Sequence, residues 1–275
     1  MSNDQWHTRR LDLDAYLRRV GYTGSPEPDE RTLEALHRAH IASIAFENLD
    51  VILGRGISVD LVDVQDKLVE HGRGGYCYEH AVLFGAVLER IGFRVDRLLA
   101  RTGDPAEHPR PRSHMVLGVA TGPRRWLADV GFGSGLLAPL ALSADGVHRQ
   151  GGWSYRLLRG DDGAWRLREH NGDTWTTLMT FTEEPQYLVD VEVANYNTST
   201  NPNSPFTQRP VVVRKDDASV RRLLGREYSI ERPGEPTRQR LLADDEVAET
   251  LTGEFGLPLT PAEVAALIDD KVVAR

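Results

Sequence analysis

The only cysteine among 275 residues, Cys77, stands in the run Arg73-Gly74-Gly75-Tyr76-Cys77-Tyr78-Glu79. Behind it Ala81, Phe84, Val87, Leu88 and Ile91 recur at i, i+3 and i+4, which predicts a helix that Gly92 ends. The thiol then falls at a helix N-terminus, after two glycines that permit a sharp turn. Unpaired N–H groups and the helix dipole favour an anion there, so a thiol in that place tends to ionise and become a nucleophile. A free cysteine is as readily a small buried hydrophobe. A base and a group that orients the base would decide between the two readings.

Nine histidines compete for the part of base. His114 lies inside the β-prone run Arg112-Ser113-His114-Met115-Val116-Leu117, where a strand would hold its ring still. Asp129 occupies the corresponding part of Trp126-Leu127-Ala128-Asp129-Val130, and Thr121-Gly122-Pro123 marks a turn between the two runs. Antiparallel pairing of 113–120 with 125–130 around a four-residue loop gives partners whose numbers sum to 245, whereas His114 and Asp129 sum to 243. They are then diagonal neighbours on one face, or directly opposed if a bulge shifts the register. A carboxylate beside an imidazole would fix its orientation and raise its basicity. His80, three residues after Cys77 and on the same helix face, is the rival base, although nothing near it in sequence would orient its ring. Metal chemistry is disfavoured: there is no Cys-x-x-Cys or His-Glu-x-x-His, and the helical pair His37 and His40 lacks a third ligand. Phosphate-cradling and dinucleotide-binding glycine motifs are missing as well.

The elements that must carry these groups change character along the chain. Residues 11–92 read as helices, marked by Leu13, Tyr16, Leu17 and Val20, by Leu33, Leu36, His40 and Ile41 from about Arg31, and by Leu61, Val64 and Leu68 up to Gly72. The cysteine helix is the fourth member of this bundle. Strand patterns follow at 94–101, 113–120, 125–130, 153–159, 164–170 and 174–182, a spacing that argues for a barrel or strongly curled sheet. Residues 184–196 suit a connecting helix, and Asn197 to Pro210 reads as a polar loop. Strands are expected at 211–214, 219–224, 227–232 and 237–242, and helices at 244–255 and 261–273. The last helix opens on Thr260-Pro261-Ala262-Glu263, an N-cap, a proline at N1 and a capping-box glutamate.

A formal net charge of −8 argues against non-specific nucleic-acid binding. One cysteine makes no internal disulfide, and a thiol in use must stay reduced, so a cytoplasmic location is expected. The first ten residues include Asp4, Arg9 and Arg10 without an apolar run behind them, which predicts no secretory leader. No apolar run approaches the roughly 18 residues that span a bilayer.

The run around Cys77 resembles the active-site signature of the arylamine N-acetyltransferases. His40-Ile41-Ala42-Ser43-Ile44-Ala45-Phe46-Glu47-Asn48-Leu49-Asp50 resembles that family's upstream motif, with Ala45 where proline is usual, a change remote from the chemistry. Ser113-His114-Met115, Asp129-Val130-Gly131-Phe132-Gly133 and Asn197-Thr198-Ser199-Thr200-Asn201-Pro202-Asn203-Ser204-Pro205-Phe206 are similar to three further family segments, in the same order. The resemblance implies an α+β fold in a cysteine-protease-like, three-domain arrangement. A helical bundle over 1–92 would carry the nucleophile, a β-barrel over 93–183 the histidine and aspartate, and 184–275 an interdomain helix and an α/β lid.

It further implies a Cys77, His114 and Asp129 triad, acetyl-CoA as donor, and an arylamine, arylhydrazine or N-hydroxyarylamine as acceptor. Exchange would be ping-pong through an acetyl-cysteine, in the setting of xenobiotic metabolism and without a metal. Phe132 and Phe206 are expected to wall an aryl pocket, with Gly131 and Gly133 allowing close approach to the backbone. CoA phosphates need cations, and Arg209, Arg214, Arg221, Arg222 and Arg226 cluster after the polar loop, most of them expected to be plain surface charges. Glu47 and Arg73 are expected to form a buried structural ion pair. Three alternatives remain open at this level. They are an amide synthase that closes macrolactams with the same triad, a thiol hydrolase or transglutaminase-like enzyme, and a silent binding module.

Overall fold

The structure is a computed structural model that describes residues 5–143 and 146–268. Its helical part begins with α1 (Leu13–Arg19), capped by the Asp12 carboxylate on the Ala15 N–H at 2.9 Å. Then comes α2 (Glu30–Ser43), capped by Asp29 on Thr32, which buries Leu33, Leu36, His37 and His40. A two-residue strand β1 (Phe46–Glu47) and a short α3 (Leu49–Ile52) follow. Next, α4 (Leu61–Gln65) continues through a π-turn at Asp66–Glu70, and the chain turns at Gly72 in the left-handed region. The helix α5 (Cys77–Ile91) stops at Gly92, also left-handed. Residues 77–88 of α5 are buried on every side. That suits a helix enclosed between the bundle and a sheet better than one lying on a surface.

The sheet is antiparallel and consists of β2 (Arg94–Thr102), β3 (His114–Thr121), β4 (Arg124–Ala128), β5 (Leu140–Ala141), β6 (His148–Gln150), β7 (Trp153–Arg159), β8 (Trp165–Asn171) and β9 (Thr174–Phe181). Its order is β5-β4-β3-β2-β9-β8-β7-β6, two four-stranded meanders joined where β2 pairs with β9 into a curled, barrel-like sheet, with a register irregularity at Leu167/Arg168 in β8. In β7 Trp153, Tyr155 and Leu157 point into the core and the residues between them point outwards, which is the period-2 signal visible in the sequence. Strands β5 and β6 were not expected; at two and three residues they are too short to carry a pattern.

The remaining chain forms α6 (Leu188–Thr200), α7 (Pro205–Gln208), four strands and two helices. The strands are β10 (Val211–Lys215), β11 (Val220–Leu224), β12 (Glu227–Glu231) and β13 (Arg238–Leu241), and the helices are α8 (Asp244–Glu249), which runs on as a π-turn to Glu254, and α9 (Pro261–Ile268). Residues 269–273 of the expected last helix lie outside the described residues. The lid sheet has the order β1-β10-β11-β12-β13, so a strand from the helical part, paired as Phe46↔Val213 and Glu47↔Val212, forms its edge.

One correction concerns α6. It runs to Thr200, so the first residues of the polar stretch expected as a loop are helical. Asn195 and Thr198 on its inner face are buried, because their side chains bond tyrosine hydroxyls of the α5 start. One apolar cluster joins bundle and barrel; a second, with Leu49, Val212, Leu223, Val247, Leu251 and Phe255, lies under the lid sheet.

Candidate active site

The turn ahead of Cys77 is built by backbone contacts that leave no room for side chains. Gly75 forms a parallel bridge with Phe46; its N–H donates to Ala45 O at 3.3 Å, and its carbonyl accepts the Glu47 N–H at 2.7 Å. A Cβ on Gly74 would come within 2.2 Å of the Ala45 oxygen, so only glycine fits. Tyr76 N–H donates to the Glu79 carboxylate at 2.9 Å and α5 begins at Cys77. The two motifs read separately in the sequence, 40–50 and 73–79, are therefore one construction.

Cys77, His114 and Asp129 meet at the junction of α5 with the β3–β4 hairpin. The hairpin register runs from Leu117↔Ala128 to Thr121↔Arg124, with partner numbers that sum to 245 and a turn tightened to Gly122-Pro123. Asp129 follows the end of β4 and sits diagonal to His114, and His114 Nε2 lies 2.9 Å from Asp129 Oδ2. The Cys77 thiol faces the His114 ring closely enough to add to its basicity, and its Sγ donates to the Ser113 carbonyl oxygen at 3.7 Å. All three side chains are shielded from water, with Cys77 3%, His114 4% and Asp129 2% exposed. Burial alone would push the imidazole down, but the Asp129 carboxylate, reinforced by Cys77, prevails and raises it to about 10.

The Asp129 carboxylate is itself fixed, because Oδ1 accepts the Gly131 N–H at 3.0 Å. Gly131 is pressed on Cys77, since a Cβ there would come 2.9 Å from Cys77 Cα and O. The rival base, His80, does not serve the thiol: its ring is spent on His40 and on the Gly75 and Ala45 carbonyls.

Aromatic rings lie against His114 and around the turn ahead of Cys77. Phe132 stands edge-on to the His114 ring with centroids 5.1 Å apart. Phe206, on α7, packs against both Tyr76 and Phe46 at 5.8 Å. Gly133 has φ +79°, and a Cβ there would come 3.0 Å from the Phe46 ring. Phe132 also borders a cleft of about 470 Å³ with Asp104, Glu107, Arg110, Arg168 and Trp175, and none of Cys77, His114 and Asp129 lines it.

Beneath the Gly74-Gly75 turn lies a buried ionic network. Glu47 Oε1 accepts Arg73 Nη2 at 3.0 Å, Arg73 also reaches Asp50 at 3.3 Å, and Lys67 bridges Asp50 at 2.8 Å to Glu79 at 2.7 Å. Burial pushes the Glu79 carboxyl up to about 7, against the pull of the Lys67 ammonium. Glu263 of α9 joins the network at 3.6 Å from Arg73, tying the lid to the bundle.

Of the arginines considered for phosphate binding, Arg221, Arg222 and Arg226 pair with the lid's own carboxylates (Asp216, Glu231 and Asp244) and Arg214 donates to the Phe255 carbonyl. Arg209 is exposed. Three positioning residues carried no assignment from the sequence. Asn48 holds the 206–211 segment by donating to Phe206 O and Arg209 O and accepting from Val211 N, at 2.7–2.9 Å. Asn195 accepts the Tyr76 hydroxyl, and Thr198 pairs with the Tyr78 hydroxyl at 3.1 Å. A polar residue between apolar ones in the 40–50 motif was the available signal for Asn48; for Asn195 and Thr198 there was none locally. Among the described residues no group of three or more His, Cys, Asp or Glu could hold a metal ion, and no helix is long and apolar enough to cross a membrane.

A buried thiol at a helix start, beside an imidazole that is paired with a carboxylate, is equipment suited to an acyltransferase with a cysteine nucleophile. Residues 29–264 match the family model described as N-acetyltransferase. The chain is 39% identical to the arylamine N-acetyltransferase of Mycolicibacterium smegmatis, over 94% of this chain and 99% of that one. Among solved structures, the arylamine N-acetyltransferase of Mycobacterium abscessus superposes with a TM-score of 0.93 at 37% identity, covering 100% of this chain and 99% of its own. That of Mycobacterium marinum in complex with CoA gives 0.87 at 34% identity, over 94% and 99%. The chain belongs to the arylamine N-acetyltransferase family.

Proposed function

We propose that the protein transfers an acetyl group from acetyl-CoA to the nitrogen of an arylamine, arylhydrazine or N-hydroxyarylamine, by a ping-pong route through acetyl-Cys77. The observation that carries this reading is Cys77 set against the His114 ring, with His114 bonded to Asp129 at 2.9 Å and all three shielded from water. Asp129 occupies Nε2, which leaves Nδ1 of the ring to take the thiol proton. The thiolate attacks the thioester carbonyl carbon, and backbone N–H groups at the α5 start are suited to hold the developing oxyanion. Collapse breaks the bond to the CoA sulfur, which leaves with the proton from His114. In the second half the acceptor nitrogen attacks acetyl-Cys77, His114 takes its proton, and the Cys77 sulfur departs as the amide forms.

A transferase must keep water from the acyl-enzyme, and the near-complete burial of Cys77 with Phe132 against His114 supports transfer over hydrolysis. CoA in the M. marinum relative supports the donor assignment. Glu47 and Arg73 act structurally, with the bundle, barrel and lid dividing near residues 92 and 183. A cytoplasmic, xenobiotic-metabolising role belongs to the same proposal, since the single thiol has to stay reduced. Incubation with acetyl-CoA and either an aniline or a hydrazide tests it. N-acetylated product is expected; acetate alone, with no amide, would make the protein a hydrolase.

A further inference from the structure

Helix α2 carries two imidazoles, His37 and His40, that the transfer steps leave unused. Both are fully buried, and both rings stand edge-on to Phe84 of α5, with centroids 5.9 and 5.3 Å away. Their protons can be placed by following each chain to a carbonyl oxygen, which only accepts. His37 Nδ1 lies 3.1 Å from Leu137 O, so Nδ1 carries the hydrogen. Nε2 is then bare, and it accepts the backbone N–H of Asp129 at 3.1 Å.

The second chain ends on the nucleophile's turn. His80 Nε2 lies 3.0 Å from Gly75 O and 3.3 Å from Ala45 O, so it donates. His80 Nδ1 must accept, and its partner at 2.8 Å is His40 Nε2. His40 Nδ1 accepts in turn from the Tyr16 hydroxyl at 3.0 Å. Burial pushes His37 and His80 down to about 4 and His40 well below its ordinary value, in keeping with rings that stay neutral.

Both endpoints need these partners. The pairing of β4 with β3 stops at Ala128, so Asp129 N–H has no ladder partner and would be orphaned inside the protein without His37. The Gly75 carbonyl, two residues before Cys77, takes one hydrogen bond from Glu47 N–H and the other from His80.

We propose that His37 and the Tyr16–His40–His80 chain are positioning residues for acyl transfer. Through one imidazole α2 sets the backbone that presents Asp129 to His114; through the other it sets the turn that delivers Cys77. The inference rests on the Cys77–His114–Asp129 triad proposed above.

The test compares full-length His37→Leu and His37→Gln with the unmodified protein. It reads the rate of Cys77 alkylation by iodoacetamide, and kcat and KM for acetyl-CoA with an aniline acceptor. Loss of the acceptor at Asp129 N–H is expected to lower the alkylation rate and kcat of His37→Leu about tenfold to a hundredfold while KM changes little. His37→Gln, whose amide oxygen can take the same N–H, restores most of both rates. A folded His37→Leu protein with unmodified rates overturns the proposal, and so does a glutamine variant no better than leucine. Should neither variant fold, ¹⁵N NMR of the unmodified protein decides. The Nδ1–H tautomer is required for His37 and the Nε2–H tautomer for His40 and His80, and any other assignment breaks the wiring. Failure of the triad reading looks different: Cys77 of the unmodified protein would then alkylate no faster than a free thiol.

Discussion

Asp129 is held at three atoms: Oδ2 by His114, Oδ1 by Gly131 N–H and its own N–H by His37. That arrangement predicts the outcome of Asp129→Asn. Gly131 N–H keeps the amide oxygen, which turns the NH₂ towards His114 Nε2 and moves the ring hydrogen to Nδ1, where the thiol proton has to go. Turnover should drop by about 10³–10⁴-fold with the fold intact, as expected when an orienting carboxylate is replaced by an amide. A variant that keeps wild-type turnover and an unchanged circular dichroism spectrum would contradict the assignment. At this scale the sequence was informative because the hairpin is local. A Gly-Pro turn fixes the register, and period-2 alternation then brings residues 114 and 129 to one face without knowledge of anything distant. Asn195 was illegible for the opposite reason, since the Tyr76 hydroxyl it accepts lies 119 residues away.

At the level of elements, the 40–50 motif and the 73–79 turn support each other through Glu47. Its carboxylate accepts two Arg73 nitrogens and the Leu49 N–H while wholly buried. Glu47→Gln removes the charge and leaves Arg73 with only Asp50 and Glu263. Breaking one partner out of a buried pair costs about 3–5 kcal/mol, to be read as a lowered urea midpoint. A midpoint equal to wild type would show that the network contributes nothing net. The pairing of Glu47 and Arg73 was expected from their places beside pocket elements. The β1 edge strand and its bridge to Gly75 were not, because two residues carry no periodicity. The polar run after residue 196 misled for a related reason: buried polar side chains on α6 look like loop composition when their tyrosine partners are out of view.

For the whole molecule, the buried titratable groups set the pH range of stability. His37, His40 and His80 have folded values below the unfolded value of about 6.5. The stability they confer is therefore complete above that value and is lost as pH falls. Glu79, raised to about 7, acts in the opposite sense, its contribution present at low pH and lost as pH rises through 7. Three histidines against one glutamate give a net uptake of protons on unfolding below the unfolded histidine value, so stability should fall as pH drops on that side. His114, raised to about 10, contributes stability that is full below about 6.5 and is lost as pH climbs towards 10. Urea midpoints should thus peak near neutrality; a flat profile from pH 5 to 7 would contradict this account of the buried rings.

In the chemistry proposed for this site the acyl group passes through one sulfur atom, that of Cys77. Intact-protein mass spectrometry after mixing with acetyl-CoA, without acceptor, tests it most directly. A single acetyl group is expected on Cys77, lost when an arylamine is added, with no adduct on Cys77→Ala. Acetyl transfer by Cys77→Ala, or an acetyl group carried on another residue and passed to the amine, would contradict it.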